Sequence, residues 1–273
     1  MNTTPRKIAV LGVGNMAKAI ISGILGAELP IEKIIAFDKN LQQYKDLPSL
    51  PCIEYADSAR KAVSEADVVL LAVKPQNYPE LLTEIATLPE HASRLYISIA
   101  AGISSEQVSE QLSGACVIRV LPNVPMLIGQ GVSVICENHK ASRQDMEFVN
   151  RVFCSAGSTV LIDEAEMNRM IGVTSSSPAY VFRFINAIYQ GAKEQGLENR
   201  DLLNAICDMV IGSATLLKTS NESPESLIAK VASKGGTTEQ ALLKLNEKEF
   251  DDAVIQAMIA CTARAEELGK ASK

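Results

Sequence analysis

The chain has 273 residues, a formal net charge of −6 and no tryptophan, and hydrophobic residues make up 47% of it. Because no basic block stands out and no apolar run reaches the roughly 20 residues of a membrane span, neither nucleic acid nor a membrane is expected as a partner. No apolar signal segment precedes the first predicted strand, so we expect a cytoplasmic protein.

Apolar runs typical of buried strands alternate with amphipathic helical stretches through the first 165 residues. The predicted strands cover residues 8–11, 34–37, 68–73, 95–99, 117–121, 132–136 and 159–162. The predicted helices between them cover residues 16–25, 58–65, 79–85, 104–111 and 142–153. Such alternation predicts an α/β domain with a parallel, doubly wound sheet over residues 1–165.

No strand is predicted beyond this domain, and residues 166–273 are expected to form an all-helical domain. Its predicted helices cover residues 178–195, 200–218, 224–231, 238–245 and 250–268. Ser177 before Pro178 predicts an N-cap, Gly196 predicts a helix stop, and the tail 269–273 is expected to fray. The first of these helices is apolar on more than one face, which predicts burial against a dimer partner or against the first domain.

The glycine-rich turn after the first strand carries the clearest functional signal. Gly12 permits a tight turn, Gly14 permits close approach of a pyrophosphate, and the small Ala17 permits close packing of helix on strand. The following helix begins near Asn15 and Met16 and offers unpaired N–H groups to the phosphates. The segment therefore predicts a dinucleotide site, with an ordinary strand–turn–helix connection as the alternative.

Asp38 ends the second predicted strand. An acid at this place accepts hydrogen bonds from the ribose of NAD and repels the 2′-phosphate of NADP. Lys39 and Asn40 follow and would serve a phosphate if Asp38 turned away. The alternative is an aspartate that only begins a turn, so these residues leave the choice of cofactor open.

Three further strand ends are expected at the carboxyl edge of the sheet, where open α/β folds bind ligands. Lys74 would contact a ribose or polarise a substrate, and the small residues 98–102 would let a flat ring approach the backbone. Asn123 lies between Pro122 and Pro125, which stiffen its loop. Together with the glycine turn, these strand ends predict a cofactor cleft.

The last candidate site is a loop that consists of Ser233, Lys234, Gly235, Gly236, Thr237 and Thr238. Thr237 with Gln240 matches a capping box, and a helix N-terminus with free N–H groups binds anions. A substrate carboxylate would fit there, assisted by the hydroxyl of Ser233 or Thr238. An ordinary capped helix after a flexible turn is the alternative.

Cysteine and histidine spacing indicates no metal site and no redox pair. The six cysteines are scattered, and we expect them to be small buried hydrophobic residues in a reducing compartment. His91 and His139 lie in polar, loop-like surroundings without a partner nearby in sequence. Acid–base chemistry in this chain is therefore expected not to depend on histidine.

Six segments, by their order and spacing, resemble the pyrroline-5-carboxylate reductase family along nearly the whole chain. They are GVGNMAKAI (12–20), AVKPQ (72–76), SIAAG (98–102), RVLPNVP (119–125), SSSPAYVF (175–182) and SKGGTTEQA (233–241). The resemblance implies a Rossmann-type, mostly parallel sheet with a second, all-helical dimerisation domain, and dimers that assemble further, as far as a decamer. It also implies reduction of 1-pyrroline-5-carboxylate to L-proline, the last step of proline biosynthesis, usually with NADPH.

The resemblance also assigns roles to individual residues. Those expected at the cofactor are Gly12, Gly14, Asn15, Met16, Ala72, Lys74, Pro75, Ala100, Pro122 and Asn123, which join Asp38 and Lys39 of the second strand end. Those expected at the substrate carboxylate are Ser233, Gly235, Gly236 and Thr237, with Thr238 near the imine nitrogen as the catalytic residue. Ser176 and Asp38 depart from the family pattern, and Asp38 argues for NADH where the family favours NADPH.

The implied chemistry depends mainly on orientation, because a protonated cyclic imine accepts hydride readily once the two rings are held together. We expect Thr238 to orient the imine nitrogen first and to relay a proton through water second. A β-hydroxyacid dehydrogenase is the first alternative, but the G-x-x-x-N-x-x-K spacing that would supply its base is missing from residues 166–273. A non-catalytic nucleotide-binding scaffold is the second, and a scaffold has no need of an anion loop.

Overall fold

The computed structural model describes residues 4–27, 29–47, 50–138 and 140–271. Contacts between Cα atoms divide the chain into two units, one of Met1–Ser176 with Ile259–Lys273 and one of Ser177–Met258. The first unit contains the sheet, and the second consists of helices and their connections. The domain boundary that the sequence suggests after residue 165 stays a prediction.

The sheet of the first unit has eight strands within the described ranges. They are β1 (Arg6–Leu11), β2 (Ile31–Phe37), β3 (Ile53–Tyr55), β4 (Val68–Leu71), β5 (Leu95–Ser98), β6 (Cys116–Leu121), β7 (Gly131–Cys136) and β8 (Gly157–Ile162). Their order is β3-β2-β1-β4-β5-β6-β7-β8, and every neighbouring pair is parallel except β6 with β7. The predicted α/β class with a mostly parallel sheet is confirmed. The order reverses between β1 and β4, which is where such sheets bind ligands.

One strand of this sheet, β3, is missing from the sequence-based prediction. It has three residues, of which only Ile53 is buried. A strand this short and this exposed shows neither an apolar run nor an alternating pattern. It is recognised only from its parallel pairing with β2.

Helices cover both faces of the sheet. In chain order they are α1 (Asn15–Gly26), α2 (Ala59–Ser64), α3 (Tyr78–Ala86), α4 (Ser105–Gln111), α5 (Arg143–Cys154) and α6 (Met167–Met170). Ile8 and Val10 of β1 pack in one core cluster with residues of α1 and α5. Ala9 and Leu11, which alternate with them, pack in a second cluster with residues of α2, α3 and α4. The sheet is therefore doubly wound, as predicted.

The helical unit follows α6 without a break in helical conformation. The later helices are α7 (Ser177–Glu194), α8 (Leu202–Thr219), α9 (Pro224–Val231), α10 (Thr237–Glu247) and α11 (Phe250–Ala271). A π-helix, Ile171–Ser175, and the helical backbone of Ser176 join α6 to α7, so the prediction of Ser177 as an N-cap is wrong. The predicted stop at Gly196 is confirmed, because its N–H donates to the carbonyl of Lys193 just beyond the end of α7.

The helices of residues 177–258, all of which are described, leave most of their large apolar side chains exposed. Ile206 is the single buried hydrophobic residue among them. We call the exposed set the apolar helix surface: Val181, Phe182, Phe184, Leu203, Met209, Ile211, Leu216, Leu217, Ile228, Val231, Leu243, Leu245, Phe250 and Ile255. Exposed apolar area of this extent marks an interaction site.

Helix α8 contributes much of this surface. It has 18 residues with a mean hydropathy of 1.3, and 6% of it is buried within the chain. Among the described residues, it is the one helix that is long and apolar enough to cross a membrane, by length and composition alone. The expected absence of a membrane partner therefore stays a prediction.

His91 differs from its sequence-based interpretation. It is 8% exposed, with Nδ1 2.5 Å from the carbonyl oxygen of Leu88 and Nε2 3.2 Å from Oγ of Ser113. The expectation that His91 has no partner nearby in sequence is wrong, because Leu88 lies three residues away. His139 lies outside the described residues.

The thiols and the tail also differ in part from expectation. The six cysteines, all within the described ranges, are free. Cys136 is buried, and burial raises the pKa of its thiol to about 12. Cys52, Cys116, Cys207 and Cys261 are half-buried and Cys154 is exposed, so the expectation of buried thiols is confirmed only for Cys136 and is wrong for Cys154. Helix α11 continues to Ala271, and the carbonyl of Gly269 accepts a hydrogen bond from Gln107 Nε2 at 2.8 Å. The prediction that the tail frays from residue 269 is therefore wrong for residues 269–271, which are helical.

Candidate active site

The turn between β1 and α1 has the geometry that a phosphate-binding glycine turn needs. Gly12 has φ +94° and donates its N–H to the carbonyl of Phe37 at 2.8 Å. A Cβ on Gly12 would lie 2.8 Å from the backbone of Ala72, so only glycine fits. Gly14 is the N-cap of α1, and a Cβ there would meet no atom within 4 Å. Ala17 is 1% exposed, which confirms the predicted close packing of α1 on the sheet.

A cleft of about 430 Å³ opens over this turn. Of the residues predicted at the cofactor, it is lined by Gly12, Gly14, Asp38, Lys39, Ala72 and Lys74. The first N–H groups of an α-helix have no partner within the helix, so those of α1 face an open cradle at Gly14. Open space at the helix N-terminus together with a forced glycine turn fits the pyrophosphate of a dinucleotide.

Two alanine substitutions distinguish the structural role of Gly12 from the binding role of Gly14. We expect Gly12→Ala to lower the free energy of unfolding by about 1–3 kcal/mol, because the left-handed backbone and the Ala72 contact both oppose a methyl group. Gly14→Ala has room in the fold, and we expect it to change stability by less than about 1 kcal/mol. It should still weaken dinucleotide binding about tenfold, because its methyl group projects into the cradle. Thermal unfolding and titration with NAD⁺ check both, and an equal loss of stability in the two variants would contradict this account.

Asp38 holds the glycine turn in place. Its Oδ2 accepts the N–H of Val13 at 2.7 Å and its Oδ1 accepts the N–H of Asn40 at 2.7 Å. Its backbone N–H donates to the hydroxyl of Tyr44 at 2.6 Å. The side chain is half-buried at the end of β2 and points back to the turn. Each carboxylate oxygen keeps a further lone pair, so Asp38 still has acceptor capacity for hydroxyl donors.

The two lysines of the cleft differ in their partners. Lys39 Nζ lies 2.8 Å from Glu80 Oε1 on α3, and both side chains are largely exposed. Lys74 is exposed at the start of the 3₁₀ turn Pro75–Asn77, three residues after the end of β4. The cleft also contains Gln43, Gln76, Asn77, Glu80 and Glu84, which the sequence-based prediction omits. The i, i+4 spacing of Glu80 and Glu84 on α3 was the signal available for two of them.

The small residues after β5 face a helix of the same unit. Ala100 is 3% exposed, and its methyl group packs in the core beside Tyr78. A Cβ on Gly102 would overlap the carbonyl oxygen of Ala265 on α11, and one on Gly269 would overlap the carbonyl oxygen of Gly102. Close approach of α11 therefore accounts for glycine at residue 102, where the sequence suggested approach of a flat ring.

Asn123 is 6% exposed, and both ends of its side-chain amide are hydrogen-bonded within the protein. Its Oδ1 accepts the N–H of Val132 at 2.8 Å, and its Nδ2 donates to the carbonyl of Thr174 at 3.0 Å. The side chain thus joins the start of β7 to the π-helix. Pro122 beside it is buried, and neither residue lines the cleft. Pro75, Asn15 and Met16 also lie outside the lining, although all three adjoin it in sequence.

A buried arginine that the sequence-based prediction left without a role lies on the same strand end. Arg119 of β6 is 2% exposed, donates to Asn168 Oδ1 at 2.7 Å and lies 3.7 Å from Glu164. Burial lowers the pKa of its guanidinium, and the charge of Glu164 opposes that shift. Glu164 in turn accepts hydrogen bonds from the N–H and the hydroxyl of Ser105. Together with Asn123, these contacts fix the segment that leads into the helical unit.

The loop before α10 is a tight turn with its own hydrogen bonds. Gly236 is the N-cap without a side-chain cap, so the predicted capping box of Thr237 with Gln240 is wrong. The N–H of Gly235 instead donates to Glu239 Oε2 at 2.7 Å, and the N–H of Gly236 donates to the carbonyl of Ser233 at 2.9 Å. Thr238 is half-buried in the first turn of α10. Thr237 and Thr238 begin the helix, where N–H groups have no partner within the helix.

Comparison with known proteins agrees with both parts of the chain. Residues 164–268 match the family model described as pyrroline-5-carboxylate reductase dimerisation. Residues 7–102 match the model described as NADP oxidoreductase, coenzyme F420-dependent. The apolar helix surface thus falls within a segment that resembles a dimerisation domain.

Relatives match along nearly the full length. The chain is 34% identical over 268 residues to the pyrroline-5-carboxylate reductase of Escherichia coli, covering 97% of this chain and 99% of that protein. It superposes with a TM-score of 0.87 on the Plasmodium falciparum pyrroline carboxylate reductase with NADP bound, at 26% identity, covering 97% of this chain and 98% of that one. The Streptococcus pyogenes 1-pyrroline-5-carboxylate reductase also gives a TM-score of 0.87, at 29% identity, covering 97% and 100%. The chain therefore belongs to the pyrroline-5-carboxylate reductase family.

Proposed function

We propose that this protein reduces the C=N bond of 1-pyrroline-5-carboxylate to give L-proline, with NAD(P)H as hydride donor, in the last step of proline biosynthesis. The nearly full-length similarity to reductases of that name supports the proposal most strongly. The open cradle over Gly14 supports the nucleotide half of it. The loop of residues 233–238 supports a site for the substrate carboxylate, because the first N–H groups of α10 have no partner within the helix.

The protein's contribution to this reaction is mainly orientation. A bound reduced dinucleotide supplies the hydride. The N-terminus of α1, with Gly12, Gly14, Asn15 and Met16, would hold its pyrophosphate. Ala72 and Lys74 after β4 would frame the nicotinamide end, with Pro75 beside them. Ala100, Pro122 and Asn123 of the next two strand ends have buried side chains, so they would contribute there through their backbone. Asp38 would meet the adenosine ribose, with Lys39 beside it held by Glu80.

The substrate is proposed to lie against the loop before α10. Ser233, Gly235, Gly236 and Thr237 receive the carboxylate, chiefly through backbone N–H groups. The Thr238 hydroxyl donates a hydrogen bond to the imine nitrogen and relays to it a proton that solvent water supplies. A threonine hydroxyl is a weak acid, so its main task is to fix the position of the ring.

We further propose a preference for NADH over NADPH. Asp38 keeps a carboxylate at the end of β2, tied to Val13 and Asn40, so it does not turn away from the ribose position. Lys39, the nearest cation in sequence, is paired with Glu80. A 2′-phosphate would therefore meet uncompensated negative charge, whereas ribose hydroxyls would find acceptors.

The apolar helix surface supports a homodimer through the C-terminal helices, because a single chain leaves that surface exposed. Further assembly, as far as a decamer, and a cytoplasmic location complete the proposal. No nucleic acid or membrane partner is included in it.

One assay tests the activity. Purified protein with 1-pyrroline-5-carboxylate at neutral pH should oxidise NADH or NADPH, followed by absorbance, and should form proline. Faster turnover with NADH at equal concentrations supports the cofactor preference. If neither cofactor is oxidised although NAD⁺ binds, the reductase activity is refuted and another imine or hydroxyacid substrate has to be sought.

A further inference from the structure

We propose that Glu239 sets the affinity of the loop of residues 233–238 for anionic ligands, because its carboxylate already lies among the N–H donors of that loop. The inference rests on the proposed function, which assigns the substrate carboxylate to this loop. Glu239 thereby acts as a specificity-determining residue that keeps binding of the substrate and product carboxylates weak.

The hydrogen bonds of the loop show how few donors remain for a ligand. The N–H of Gly235 is committed to Glu239 Oε2 at 2.7 Å, and the N–H of Gly236 is committed to the carbonyl of Ser233 at 2.9 Å. The N–H groups of Thr237 and Thr238 follow at the start of α10, where no partner within the helix is available. A carboxylate that binds there arrives next to the charge of Glu239.

The role of Glu239 as a helix cap does not require its charge. A carboxylate in the first turn of a helix reaches back to a preceding N–H and favours the helix dipole. A glutamine oxygen at the same place accepts the same hydrogen bond, so glutamate and glutamine at residue 239 cap the helix equally well. Only the negative charge of Glu239 repels the carboxylate of a ligand. The repulsion is strong because the Glu239 carboxylate lies within hydrogen-bond distance of the loop.

Both Lys230 and Lys244, which lie within ten residues of Glu239 in sequence, are paired with other carboxylates. Lys230 at the end of α9 lies 2.5 Å from Glu222, and Lys244 of α10 lies 2.7 Å from Glu247. Lys234 is exposed within the loop. An anion that enters the loop therefore meets Lys234 and Glu239 together, and removal of the Glu239 charge leaves a net positive loop.

The experiment compares Glu239→Gln with Glu247→Gln in the full-length protein. Both variants remove one negative charge from α10, but Glu247 lies at the far end of that helix. We expect Glu239→Gln to bind L-proline roughly fivefold more tightly by titration calorimetry without cofactor, with an unchanged unfolding temperature. KM for 1-pyrroline-5-carboxylate should fall by a similar factor, and the gain should shrink as salt is added.

Two further measurements separate charge from capping. Glu239→Ala should also bind proline more tightly, but with a lower unfolding temperature, because the bond to Gly235 is lost. L-Prolinamide, which lacks the carboxylate, should gain nothing from Glu239→Gln. The inference is refuted if Glu239→Gln and Glu247→Gln bind proline equally, or if prolinamide gains as much as proline. A wild-type protein that binds NAD⁺ but never reduces 1-pyrroline-5-carboxylate would instead refute the proposed function.

Discussion

The Thr238→Ala variant is expected to lose turnover of 1-pyrroline-5-carboxylate by a factor on the order of 100, which is typical when a group that positions or protonates the reacting atom is removed. Thr238 lies in the first turn of α10, half-buried, beside the proposed carboxylate loop. Loss of its hydroxyl leaves the imine nitrogen without a donor. The Kd for NAD⁺ should change little, because the glycine turn does not depend on Thr238.

Thr238→Ser serves as the matched control, because it keeps the hydroxyl and removes only a methyl group. It should retain most of the wild-type kcat. Stopped-flow measurement of NADH oxidation separates the chemical step from product release. An unchanged single-turnover rate in Thr238→Ala would remove this residue from the mechanism and leave orientation to the backbone of the loop.

Replacement of Asp38 by serine is expected to shift the ratio of kcat/KM for NADPH to that for NADH upward by roughly tenfold or more. The removed carboxylate is the charge that a 2′-phosphate would meet at the end of β2. Two like charges a few ångströms apart near a protein surface interact by a few kcal/mol, which allows a change of this size. Kd values for NAD⁺ and NADP⁺ provide the same comparison without substrate.

Asp38 also holds the glycine turn by accepting the N–H of Val13, so the controls must separate the effect of its charge from the effect of this hydrogen bond. Asp38→Asn keeps an acceptor oxygen without the charge, and it should shift the preference while binding NAD⁺ nearly as well as wild type does. Lys39→Ala should change the ratio little, because that lysine is paired with Glu80. An equal weakening of both cofactors in Asp38→Ser would show that Asp38 acts only by holding the turn.

The features that could be predicted from sequence are those decided by neighbouring residues. The strand, turn and helix around Gly12 follow from a local run of apolar and small residues, and seven strands were recognised in this way. The stop at Gly196 is likewise local, since it bonds to Lys193 three residues earlier. Short-range hydrogen bonds and periodic burial depend on residues that are close in sequence, so the local sequence predicts them.

The features that were missed depend on residues far apart in the chain. Asp38 meets Val13 across 25 residues and Lys39 meets Glu80 across 41, so each looks free when its strand end is viewed alone. Gly102 is small because α11, more than 150 residues later, passes over it. The failed capping box has a local cause. Gly236 is the N-cap of α10 and the Gly235 N–H bonds to Glu239, so Thr237 does not cap the helix.

The return of α11 to the sheet has a consequence for the order in which the chain folds. The first unit contains residues from Ile259 onward, and Ala265 packs in a buried cluster with Met167 and Ile171. During synthesis this cluster therefore lacks Ala265 until the final helix has been made, so packing of the first unit is completed only when the last residues of the chain are available. A fragment that ends at Ser176 would expose Met167 and Ile171 to water, and it is a poor substitute for the whole protein.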